Sequence, residues 1–202
     1  MKNRNRILRP IATAAVAAIA LTTGCERAPD AEPQTENQPM PQAQVSGLFA
    51  ATPPAEPSSI LELRQNPETG RTVTVQGVIA GTAKPFSEEY AMFVFADETL
   101  QTCDKIPGDT CSTPWDACCA DPESIKASRV TIQIPGPDGT PLPGTLEGVH
   151  ELGEMDRLVI DGTVADNSTA DSIIINATRI YPLPDKETPT ESQKSPAANP
   201  EG

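Results

Sequence analysis

The chain has 202 residues, with 15 Lys and Arg against 28 Asp and Glu, 22 prolines and five cysteines. Four of the bases fall in the first nine residues and every acid falls after residue 25, so residues 25–202 carry 11 bases and 28 acids, or −17. That balance excludes binding to phosphate backbones, which draws its affinity from clustered Lys and Arg, and adhesion to anionic headgroups.

The N-terminus reads MKNRNRILRPIATAAVAAIALTTGC. Lys2, Arg4, Arg6 and Arg9 form a basic flank, and Ile11 to Leu21 is an alanine-rich apolar run. Eleven helical residues span about 16 Å, too little for a hydrocarbon core of roughly 30 Å. The length and the basic flank predict a secretory signal over residues 1–24. The stretch Leu21-Thr22-Thr23-Gly24-Cys25 resembles the lipobox of bacterial lipoproteins, with Thr22 where that pattern usually has leucine. The resemblance implies cleavage before Cys25 and acylation of its thiol, hence an exported protein held at the cell envelope by lipid. Two or three acyl chains suffice for stable anchoring.

Residues 25–58 form the predicted lipid-anchored linker. Seven of the 33 residues from Glu26 to Ser58 are proline, and Ala, Gln, Glu and Thr fill most of the rest. Such a composition buries too little apolar surface to offset its ordering entropy. Leu48 and Phe49 read as a stray apolar pair in it, transient docking being the alternative.

Residues 59–181 are the predicted domain. Ser58-Ser59 can cap a short helix over residues 60–65, stopped by the turn Asn66-Pro67-Glu68-Thr69-Gly70. RTVTVQGVI, residues 71–79, alternates as a strand, and Gly77 on its apolar face predicts a bulge or bend. YAMFVFA, residues 90–96, is apolar on both faces, as a central strand would be. RVTIQI, residues 129–134, is a third strand, and Asp138-Gly139 signals a hairpin after it. Residues 147–155 are predicted as a short helix. RLVIDGTV, residues 157–164, and IIINATRIY, residues 173–181, complete five strands. Five β-branched strands with a bending glycine and a short helix before the fourth predict an OB-like barrel with short helices, an open sandwich being the alternative. Residues 182–202, with five prolines, read as a disordered tail.

Between the second and third strands lies CDKIPGDTCSTPWDACC, with cysteines at 103, 111, 118 and 119. Once lipid takes Cys25, an even four remain in an oxidising compartment, and the turn formers Pro107-Gly108 and Pro114 suit two structural disulfides. Adjacent Cys118 and Cys119 each need an upstream partner. The pairs are therefore Cys103–Cys118 with Cys111–Cys119, or Cys103–Cys119 with Cys111–Cys118. Trp115 would pack over a bridge, and the loop around it is the candidate contact surface. The alternative is a metal or thiol-redox site in the same cysteines. Against it stand the lack of paired ligands two to four residues apart, the lack of C-x-x-C, and five acids between Asp97 and Asp116 that would raise thiol pKa values.

No other catalytic constellation is visible: His150 is the single histidine and no G-x-S-x-G occurs. We expect a non-enzymatic module with no cofactor and no resident metal. Its partners would be the membrane, through the lipid, and an envelope protein or small ligand. Nucleic acid is excluded, since residues 59–181 hold eight bases and 19 acids, or −11. VTVQGVI, AMFVFAD, the PWDACC block and LVIDGTV together resemble an uncharacterised group of exported bacterial lipoproteins with OB-like β-domains. That resemblance implies a fold but no activity.

Overall fold

The computed structural model describes residues 45–184. The predicted signal, Cys25, most of the linker and the tail beyond Pro184 lie outside the described residues.

A dipeptide strand, β1 (Ser58–Ser59), leads directly into helix α1 (Ile60–Gln65). The helix starts where the serines predicted. Ser59 Oγ accepts the Glu62 N–H at 3.1 Å, and Glu62 Oε2 accepts the Ser59 N–H at 2.9 Å, a reciprocal capping box. Ile60 and Leu63 are buried, so α1 lays one face on the barrel.

The five main strands are β2 (Thr72–Ile79), β3 (Met92–Ala96), β4 (Arg129–Gln133), β5 (Arg157–Val164) and β6 (Ile174–Pro182). They run in the order β2-β3-β4-β6-β5, and β5 pairs back to β2, which closes the barrel and rules out the open sandwich. Among these five all neighbours are antiparallel except β4 and β6, which are parallel, and β1 adds to β2 in parallel. Closure leaves few unpaired strand edges. The β2–β3 seam is thin: only Val78↔Ala96 and Ile79↔Phe95 pair there, whereas β2 and β5 pair from Thr72↔Thr163 to Val78↔Arg157.

Alternation builds the interior. Val73, Val75 and Ile79 of β2 face inward with Phe93 and Phe95, Val130 and Ile132, Leu158 and Ile160, and Ile175 and Ile180. β3 lies between β2 and β4, and its outward-facing Met92 and Val94 are half-buried. A second, smaller cluster lies outside the barrel, where Val78, Ala80, Ala96, Leu100 and Ala117 are covered by Trp115, Ala120 and Ile125.

Four expectations need correction. Gly77 makes no bulge, because the β2–β5 register runs through it unbroken. The register shift lies instead between β5 and β6, at Asp161/Gly162. Residues 147–155 hold only a 3-10 turn, Val149–Glu151, because Gly148, His150, Glu151 and Met155 all take positive φ. A helix absent from the expectation, α2 (Pro122–Ala127), follows the cysteines; Asp121 caps it by accepting the Ser124 N–H at 3.0 Å, and proline opens it. Finally, order begins well before residue 59. Val45 is fully buried in the core, Phe49 bridges to Ile180, and the Ala50 N–H donates to the Ile180 carbonyl at 3.0 Å. Leu48 and Phe49 are docked apolar residues.

Candidate functional site: a three-thiol cluster on the β3–β4 loop

Residues 97–128 form the connection from β3 to β4, and its base is tightly held. The Asp97 N–H donates to the Ser128 carbonyl at 2.8 Å. Buried Asp97 accepts the Thr99 N–H and hydroxyl at 3.0 and 2.6 Å on one oxygen and the Leu61 N–H at 3.2 Å on the other. Lys105 Nζ reaches back to the carbonyls of Glu98 and Leu100 at 2.7 and 2.6 Å. The Gly81 N–H donates to the Trp115 carbonyl at 2.8 Å and joins the loop to the end of β2.

These ties bring the two limbs of the loop side by side. A 3-10 turn holds Cys103 to Lys105. The Cys103 N–H donates to the Asp116 carbonyl at 2.8 Å and the Asp104 N–H to the Pro114 carbonyl at 3.0 Å. Asp109 accepts the Cys111 N–H at 2.6 Å, which turns the tip inward. Ala117 is buried in the outer cluster and accepts the Ala120 N–H at 2.9 Å, fixing the turn that carries Cys118 and Cys119.

The sulfurs therefore converge. Cys103, Cys111 and Cys118 place their Sγ atoms within 4.8 Å of one another, with Cys103 and Cys118 at 3.6 Å. Cys103 is buried, Cys111 partly exposed and Cys118 exposed. Cys119 lies outside this group, with its Sγ 3.8 Å from that of Cys118. The four loop cysteines carry free thiols, and Cys103 and Cys118, one of the expected pairs, are neighbours.

The protonation of the three thiols differs. Burial first, then contacts with Cys118 and Cys111, push the Cys103 thiol up to about 12. A hydrogen bond from the Thr113 hydroxyl, 3.3 Å away, draws the Cys111 thiol down, assisted by the Thr113 backbone and opposed by burial and Asp109. For Cys118 the largest influence, the contact with Cys103, is downward. The contact with Cys119, burial, and the charges of Cys119 and Asp116 together outweigh it and raise the value. The surrounding acids were expected to raise every thiol; at Cys111 a hydrogen bond two residues away reverses the sign.

Trp115 does not sit on a disulfide. Its indole is half-buried over the outer cluster and donates Nε1–H to the Ala83 carbonyl at 3.1 Å, so it anchors the loop to the barrel. His150 is exposed and stacks on Phe49, with ring centroids 4.1 Å apart, well removed in sequence from the cysteines.

A cleft of about 400 Å³ adjoins the loop, lined by Val78, Ala80, Thr102, Asp104, Lys105 and Met155, with Glu98 and Arg157 beside them. Glu98 Oε1 receives Arg157 Nε and Nη2, both at 3.0 Å, and Gln76 Nε2 at 2.9 Å. This ion pair joins residues 59 apart, and no local pattern in the sequence announces it. Among the described residues no helix is long and apolar enough to cross a membrane.

Comparisons with known proteins add little. No family model matches the chain, and no curated protein matches it. Among solved structures, it is similar to a putative aspartyl-tRNA synthetase from Leishmania major Friedlin, at 12% identity and a TM-score of 0.35. The likeness covers 69% of this chain and 24% of that one.

Proposed function

We propose that the chain is an exported, lipid-anchored binding module of the cell envelope, whose barrel presents a thiolate site for a thiophilic metal ion on the β3–β4 loop. The observation that carries this reading is the meeting of Cys103, Cys111 and Cys118 within 4.8 Å, from positions up to 15 residues apart. Thiolates are soft donors that select zinc or Cu(I) over hard cations. At a metal–sulfur distance of about 2.3 Å, two sulfurs on a tetrahedral ion stand about 3.8 Å apart. The 3.6 Å separation of Cys103 and Cys118 is close to that edge. Each thiol would bind as thiolate and release its proton to solvent. The acids Asp104, Asp109 and Asp116 in the same loop favour a cation over an anion.

Export and anchoring rest on the basic flank, the short apolar run and the resemblance of Leu21 to Cys25 to a lipobox. The absence of a nucleophile motif and the −11 balance of residues 59–181 favour a binding module over a catalyst or a nucleic-acid binder.

Elemental analysis of the mature protein, purified from envelope without chelator, tests the site. One zinc or copper ion per chain is expected, lost on Cys103→Ser or Cys118→Ser. A metal-free protein with four oxidised loop cysteines would replace the metal reading with the disulfide staple. Fatty-acid labelling tests the anchor: label should be present in the natural chain and absent from Cys25→Ser.

A further inference from the structure

Cys119 is the cysteine that the cluster leaves over. Its thiol is exposed, and its Sγ touches that of Cys118 at 3.8 Å, yet it is not one of the three mutually close sulfurs. Three of the four thiols thus form a graded series running outward from buried Cys103. Cys103 meets exposed Cys118 at 3.6 Å, and Cys118 meets exposed Cys119. The backbone under the outer two is fixed by the Ala117–Ala120 turn and by the burial of Ala117. Cys119 is therefore held at the mouth of the site.

Thiolate-bound metals move between proteins and carriers by ligand exchange, in which an incoming sulfur bonds the ion before an outgoing one leaves. Such exchange needs an accessible sulfur beside the resident set. Cys119 has that position.

Resting on the metal reading above, we propose that Cys119 is the transfer ligand of the site, and that the ion arrives and departs as the complex of a carrier thiol. The carrier complex holds the ion through three thiolates; Cys119 displaces the first, Cys118 the second and Cys103 the third, and Cys111 then displaces Cys119. Each of the four exchanges makes one metal–sulfur bond and breaks one. The proton of each protein thiol that binds passes to the thiolate that leaves, and no electron changes hands.

Stopped-flow transfer tests this on the mature, lipidated chain in detergent, stripped of metal and reduced. The probes are the zinc and Cu(I) complexes of glutathione for uptake, and a chromogenic chelator for release. Cys119→Ser should slow both uptake and release about tenfold while the equilibrium affinity stays within about threefold. Cys118→Ser, which removes a resident ligand, should instead lower affinity by about a hundredfold or more. Unchanged rates in Cys119→Ser would overturn the transfer role, as would a loss of affinity equal to that of Cys118→Ser, which would make Cys119 a resident ligand. Failure of the natural chain to bind either metal, free or complexed, would remove the metal reading and this role with it. The two failures are distinct, because binding by the natural chain reports the first and the rate ratio reports the second.

Discussion

The backbone at Gly77 passes so close to Ala96 that a Cβ at position 77 would stand 2.5 Å from the Ala96 carbonyl oxygen. The same Cβ would meet Ile60 Cδ1 at 2.8 Å and Phe95 at 3.0 Å. This is the thin β2–β3 seam, with α1 pressed over it. Backbone cannot yield as a flexible side chain can. Gly77→Ala should therefore destabilise the domain by about 2–3 kcal/mol, an overpacking cost. Gly153→Ala meets nothing within 4 Å and should stay within about 0.5 kcal/mol of the natural protein. Urea unfolding of the two variants checks the contrast.

The docked segment before β1 sets a second expectation. Val45 is fully buried, and the Arg179 guanidinium donates to the Gly47 carbonyl at 3.3 Å. Burying one valine contributes roughly 1.5–2 kcal/mol. A chain starting at Ser59 should melt several degrees below one starting before Val45, as read by thermal circular dichroism. Equal melting temperatures would show that the segment adds nothing to stability.

Thiol reactivity follows from the unequal environments of the cluster. In reduced, metal-free protein at pH 8, Cys111 should be alkylated by iodoacetamide ahead of Cys103. Cys103 is buried and its thiol, pushed up to about 12, is only about one part in ten thousand ionised at that pH. Thr113→Val should slow Cys111 by removing the hydroxyl that holds its thiol down. Timed quenching and peptide mass mapping give the order, and modification of Cys103 first would contradict it.

Tyr181 supplies a pH dependence. Its hydroxyl donates to Asp161 Oδ2 at 2.8 Å, and that bond, with burial and the Asp161 charge, holds its pKa above the ordinary 10. A group raised in the folded state stabilises fully below its unfolded pKa, and that contribution disappears as pH rises through the folded value. The stability difference between the natural protein and Tyr181→Phe should thus be constant from neutral pH to about 9 and shrink above 10. Chemical unfolding at a series of pH values measures it. A difference that grows with pH would reverse the assignment.

Much of the fold was determined by the sequence alone. Alternation over residues 71–79, 129–134 and 157–164 placed β2, β4 and β5 within a residue of their ends, because a two-residue period under a barrel wall admits one register. Ser59 fixed the start of α1, since a cap acts on the residues immediately after it. The same kind of signal, Asp121-Pro122, stands before α2, but without an apolar period after it a cap alone does not announce a helix. Local chemistry could not show that Val45 is core, because VSGLF in a proline-rich segment acquires meaning only when the barrel offers it a groove.

Tertiary structure alone decided the site. The spacing C-x7-C-x6-C-C favours two disulfides, in either of two pairings, over a metal cluster on paper, but it does not state the path of the loop. The path is set by hydrogen bonds from Cys103 to Asp116 and from Asp104 to Pro114, and by the burial of Ala117. Those contacts select Cys103, Cys111 and Cys118 and leave Cys119 at the surface. They also separate the thiols by environment, with burial raising Cys103 and the Thr113 hydroxyl lowering Cys111. Likewise, Glu98 and Arg157 meet only because β3 and β5 flank β2 in the closed barrel. Sequence fixes what each segment can form on its own, whereas the neighbours that a loop acquires depend on where the rest of the chain has gone.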